Sequence, residues 1–234
     1  PSTQAVGCGT APSPPTAHTR WHWHADLQFA HITPLHAHPG ARVPHQALAT
    51  ESELFVDLVK RVYRGKHGPR RQPAESDEGP ATQAWWVLHG WVGFPGRRDD
   101  GTLDADVMRK WVVAARLLLS DSDRADIGDE LIGQALAHSS SGDDGTWPAK
   151  PVRDMLEAIG SRELENGLVI GRLNSRGVTW RGVYDGGDQE RTLAATYRSG
   201  SNSTKATWPR TSRVLRAIAE SYERDAKRED LKAE

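Results

Sequence analysis

Cys8 is the only cysteine in the chain, so an internal disulfide and any multi-cysteine zinc site are excluded. Long apolar runs are missing as well. None approaches the roughly 20 residues that span a bilayer, and no charged-then-apolar start resembles a signal peptide. A cytoplasmic address with no membrane partner is the resulting expectation. A surplus of positive charge is also lacking: 30 Lys and Arg stand against 31 Asp and Glu, which takes away the basic excess usual in a nucleic-acid-binding domain. No GxSxG elbow, Walker loop or HExxH helix occurs, so no motif supports an enzyme and no cofactor is expected. The chain opens at Pro1 without a methionine, which reads as part of a longer protein.

What is present divides unevenly. Residues 1–46 are dominated by Pro, Thr, Ala, Gly and His, with Asp26 the one acid and no apolar periodicity, and are expected to be irregular or disordered. Seven of the ten histidines fall there, including the HxH pairs His22/His24 and His36/His38. Two such pairs resemble a tetrahedral nitrogen set, but nothing nearby supplies the rigid surroundings a metal needs, so compositional bias explains them and no metal is assigned. From residue 47 to 234 the pattern is that of an α-helical domain. Leu54, Phe55, Leu58, Val59 and Val62 predict a helix over 48–64, followed by the linker GKHGPRRQPAESDEGP and a short apolar helix over 81–92.

DDGTLDADVMRKWVVAA from Asp99 and DDGTWPAKPVRDMLEAI from Asp143 then echo each other at a spacing of 44 residues, with seven of seventeen positions identical. Asp-Gly supplies a turn in both, and Thr, Asp or a first-turn Pro starts the helix. Further helices are expected over 123–138 and 162–173, which makes two helical hairpins or a short helical repeat. Shared capping chemistry is the plainer alternative. The acids of SDSDRADIGDE, 120–130, lack the glycine and glutamate offsets of a calcium loop and fit helix starts. QERTLAATYRS predicts a helix, GSNSTKAT a polar loop, and Val214, Leu215, Ile218, Ala219, Tyr222 and Ala226 a long C-terminal helix. The fold class is all-α, a bundle or short solenoid of six to eight helices. His89, on the apolar WWVLHGW stretch, is expected to be a packed, hydrogen-bonded histidine rather than a base.

The most function-like segment is RGVTWRGVYDGGDQER, residues 176–191. Its glycines precede a helix start, where backbone N–H groups favour an anion, but Asp185, Asp188 and Glu190 share that turn and satisfy it locally. Arg176, Trp180, Arg181, Tyr184, Asp185 and Arg191 are the candidate binding residues, since Trp, Tyr and Arg tend to carry binding energy. A second candidate is the acid-free basic span of residues 191–219, where Lys205, Arg210, Arg213 and Arg216 form a possible nucleic-acid track. The acid-rich residues 220–234 oppose it.

ELFVDLVKRVYR, DGTWPAKPVRD, SRELENG, RGVTWRGVYDGGDQERTLAATYR and WPRTSRVLRAIAESYERDAKRED together resemble the C-terminal region of large bacterial proteins without an assigned activity. The resemblance covers residues 47–234 and implies a domain that follows a long N-terminal part. It assigns no catalytic residue, and the first 46 residues depart from it. The combined expectation is a helical protein-protein interaction or scaffold module whose partner is another protein or the remainder of a longer chain. A nucleic-acid-binding module is the first alternative. An enzyme subunit with a polar site around Arg176, Arg181, Asp185 and Arg191 is the second.

Overall fold

The computed structural model describes residues 42–68, 75–177 and 186–233, with the backbone alone described for 42–44 and 75–78. Among these residues there are nine helices and no strand: α1 (Arg42–Thr50), α2 (Ser52–Val62), α3 (Glu75–His89), α4 (Ala105–Asp121), α5 (Ala125–Leu136), α6 (Lys150–Ile159), α7 (Arg162–Asn174), α8 (Asp188–Thr204) and α9 (Pro209–Ala233). The all-α expectation holds, and no described helix is long and apolar enough to cross a membrane. The irregular reading of 1–46 lies outside the described residues as far as 41. Its last five residues are helical, because α1 begins at Arg42.

Several boundaries differ from the sequence pattern for physical reasons. The single helix expected over 48–64 is two, since Glu51 is extended (φ −113°) and the Thr50 hydroxyl donates back to the Gln46 and Ala47 carbonyls. Helix α3 starts at Glu75, within the expected linker, and stops before Gly90, although the apolar pattern runs on. Trp91 continues that pattern without being helical because its ring closes a cluster with Phe55 and Trp111, with centroids 5.0–6.2 Å apart. The polar stretch expected as a loop before α9 instead carries α8 on to Thr204. Ser201 and Thr204 are buried there, and the Ser201 and Ser212 hydroxyls each donate to the other residue's carbonyl at 2.8 and 2.9 Å, joining α8 to α9.

The acids of 120–130 tie the first half together. Asp123, at φ +59°, accepts from the His67 backbone and imidazole, Asp126 pairs with Lys66 at 2.6 Å, and Asp129 takes the Arg116 fork at 2.7 and 3.1 Å. Both Asp-Gly turns have the predicted chemistry: Thr102 N donates to Asp100 at 2.9 Å and Thr146 N to Asp144 at 3.0 Å, with Gly101 and Gly145 at positive φ. Beyond the turns they diverge. Asp104 caps α4 through the Asp106 and Val107 amides, whereas in the second copy Arg153 is fully buried and grips Asp144 through both terminal nitrogens.

The two halves meet where α5 and α7 run alongside each other in the same direction. Three glycines allow the approach. A Cβ on Gly167 would lie 2.0 Å from the Glu130 carbonyl oxygen, one on Gly133 would lie 2.4 Å from that of Leu164, and one on Gly171 2.7 Å from that of Gln134. This close approach sets one wall of the groove described next.

Candidate functional site

Of the six residues singled out in 176–191, Trp180, Arg181, Tyr184 and Asp185 lie outside the described residues. The other two are engaged in holding helices together. Arg176 meets the buried Glu190 carboxylate at 2.6 Å, and its guanidinium lies 5.4 Å above the Tyr222 ring of α9. Arg191 spans Asp188 at 2.6 Å and Asp230 at 2.7 Å, and these hydrogen bonds push its pKa up. Gly187, the N-cap of α8, has no side chain with which to cap the helix. Gly187 N donates to Asp230, 43 residues away on α9, and Ala226 packs where a Gly187 side chain would stand. Arg176 and Arg191 therefore tie the end of α7, α8 and α9 together by charge.

The basic span is similarly occupied in part. Arg210 and Arg213 both pair with Glu165 of α7, at 2.7 and 2.9 Å, and Glu157 accepts the Arg210 and Thr211 amides at the start of α9. Glu165 holds the Arg213 pKa up. Lys205 and Arg216 are exposed. Two of the four residues proposed for a phosphate track thus already face a carboxylate.

A concave apolar surface lies elsewhere. A groove of about 520 Å³ opens between the end of α3, α5 and the end of α7. Its apolar rim is Trp85, 41% exposed, and Val92, 67% exposed, and its floor includes Phe55, Leu131 and Ala135. Trp85 stands on Trp86 edge-on at 5.0 Å and tilts over His89 at 4.6 Å, so its position is fixed by ring contacts. His89 shares a 2.9 Å hydrogen bond with the Tyr63 hydroxyl. It is bonded as expected, yet it lies at the surface rather than in the core. Gln134, His138 and Asn174 supply polar groups along the wall.

The charge state of the groove follows from its two histidines. Partial desolvation lowers the His89 pKa even at the surface, and burial, then Arg172 and Arg97, lower that of His138, so both rings favour the neutral form. His45 moves the same way through burial. For all three the unfolded chain takes up a proton first as pH falls. Stability is full above the ordinary value of 6.5 and declines below it, towards the lowered folded values. The melting temperature is expected to fall as the pH drops below 6.5, and His138→Gln to flatten that slope in a thermal-denaturation series.

Apolar periodicity marked the helices that build the groove but not the groove itself, whose residues come from four separated segments. The one available signal was the excess of tryptophan in WWVLHGW beyond what a single helix face can bury. Comparison with protein-family models, curated proteins and solved structures gives no match to this chain.

Proposed function

We propose that this helical domain is a protein-interaction module and that the groove beneath Trp85 and Val92 receives an apolar, extended segment of a partner protein. The observation that carries this reading is the pairing of an exposed, ring-braced tryptophan with an exposed valine over a concave apolar floor. Solvent-facing tryptophan is the residue type in which binding energy concentrates. Gln134 and Asn174 offer side-chain amides to the backbone of such a segment, and the neutral imidazoles add no charge that would oppose its apolar side chains. Arg176 and Arg191 then act as braces for the module. The basic span supports a nucleic-acid reading less well, because Arg210 and Arg213 share Glu165.

The test is a pair of surface substitutions. Trp85→Ala with Val92→Asp is expected to weaken partner binding at least about 30-fold, in line with losses of about 2 kcal/mol or more at interface hot spots, while the melting temperature stays close to that of the unaltered chain. Unchanged affinity in that variant, with affinity lost instead on Arg210→Ala, Arg213→Ala and Arg216→Ala, would transfer the assignment to the basic span.

A further inference from the structure

A second cavity, of about 690 Å³, lies between the 141–147 turn and the outer face of α8, and its chemistry is unlike that of the groove. Arg172 is the one cationic side chain among the described residues that line it. The guanidinium lies 4.9 Å above the Trp147 ring and 5.9 Å from that of Tyr197, and its Nε donates to the Tyr197 hydroxyl at 2.5 Å. Two aromatic rings and one hydrogen bond thus fix the plane of the fork, and among the described residues its terminal nitrogens donate to nothing. Arg153, Arg176, Arg191, Arg198, Arg210 and Arg213 each hold a carboxylate. Among the described residues, no carboxylate pairs with Arg172.

The walls are rigid and rich in hydroxyls. Trp147 is held by its indole N–H on the Ser139 carbonyl at 3.1 Å, and the turn that carries it is pinned by the buried Arg153. Thr196, Ser199 and Ser203 follow one another at helical spacing on α8, with Ser141 and Thr146 opposite. Thr196 and Ser203 already donate to backbone carbonyls, so their oxygens face a ligand as acceptors. Asp144 also lines the cavity, but Arg153 binds both of its oxygens, at 2.7 and 2.6 Å. That pair is neutral as a unit, which leaves the Arg172 charge uncompensated among the described residues. A planar guanidinium fork fits two oxygens of a phosphate, and hydroxyl groups suit both the third oxygen and a polyol.

We propose that this cavity binds a phosphorylated sugar, with the phosphate on the Arg172 fork and the sugar hydroxyls along Thr196, Ser199 and Ser203. The site is separate from the groove and stands or falls independently of it. Its test is calorimetric titration of the whole chain with ribose 5-phosphate, ribose and inorganic phosphate. Ribose 5-phosphate binds, ribose does not, and inorganic phosphate binds more weakly than the ester. Arg172→Gln weakens the ester about 10- to 100-fold, the range expected for lost hydrogen bonds to a charged group. Because Arg172 also packs on Trp147, a second variant avoids the core. Thr196→Trp, at an exposed position on α8, fills the mouth and abolishes binding with an unchanged melting temperature. Failure of ribose 5-phosphate to bind at about 10 mM, well above ordinary millimolar affinity, would overturn the proposal. So would ester binding indifferent to both substitutions, or inorganic phosphate binding as tightly as the ester.

Discussion

Gly167→Ala is expected to lower the melting temperature by roughly 6–12 °C, the equivalent of about 3 kcal/mol for a domain of this size. Helix propensity alone predicts the opposite, because alanine in place of glycine inside a helix is worth about 1 kcal/mol. The crossing decides the sign. An alanine methyl at this position would sit 2.0 Å from the Glu130 carbonyl oxygen and 2.8 Å from its carbon, and both are backbone atoms that no rotamer change can move aside. Helices α5 and α7 would have to part along the whole row, giving up contacts at Gly133 and Gly171 as well. Gly79 is the control: its Cβ would meet nothing within 4 Å, so Gly79→Ala should leave the melting temperature unchanged or slightly higher. A rise for both variants in thermal unfolding followed by circular dichroism would contradict this picture of the interface.

Arg153→Met is expected to destabilise by about 3–4 kcal/mol, the scale of leaving two carbonyls without their buried donor at about 1–3 kcal/mol each. Methionine matches the apolar stem but leaves the Pro148 and Thr146 carbonyls without the donors they hold at 2.6 and 2.9 Å, and it forfeits the contact with the Trp208 ring at 4.8 Å. Lysine is no substitute, because its single ammonium cannot replace a planar fork. Acid titration separates the ionic part from the packing part. Arg153 and the Thr146 amide hold the Asp144 carboxyl down at about 2, from an ordinary 3.8. A lowered carboxyl pKa contributes stability above the unfolded value that disappears as pH falls through the folded value, between about 4 and 2. Asp144 is half-exposed, so that contribution is screened and modest. The acid-sensitive limb should be shallower in the Met variant, and an unaltered limb would mean that the pair adds nothing beyond packing.

Much of this architecture was legible in the amino-acid order because apolar spacing of the helical kind reports which face is buried. Leu54, Phe55, Leu58 and Val59 in α2, and Val214, Leu215, Ile218, Ala219, Tyr222 and Ala226 in α9, lie in the core as their spacing predicts. Features that depend on small or polar residues were illegible for the same reason. Gly133, Gly167 and Gly171 look like helix breakers until a second helix is laid across them. Ser201 and Thr204 look like loop residues until Ser212 meets them. Thr50 gives no sign in sequence that its hydroxyl will help divide one apolar stripe into two helices.

The binding surfaces were less visible than the fold. Charge density drew attention to Arg176, Arg191, Arg210 and Arg213, yet each of these found a carboxylate on another helix. Arg172, isolated in an otherwise apolar stretch, gave no such signal, and neither did Val92. A site gathered from residues near 55, 90, 135 and 175 exists only once α5 and α7 have met, so no linear motif can announce it.

The central claim is that a partner segment lies in the groove under Trp85 and Val92. A photo-reactive phenylalanine analogue placed at position 92 in the full chain measures this directly. The account predicts a discrete cross-linked protein adduct from position 92, lost when Trp85→Ala is added and not formed from the same group at Lys227, an exposed residue of α9. Equal adducts from positions 92 and 227, or an adduct that survives Trp85→Ala, would contradict it.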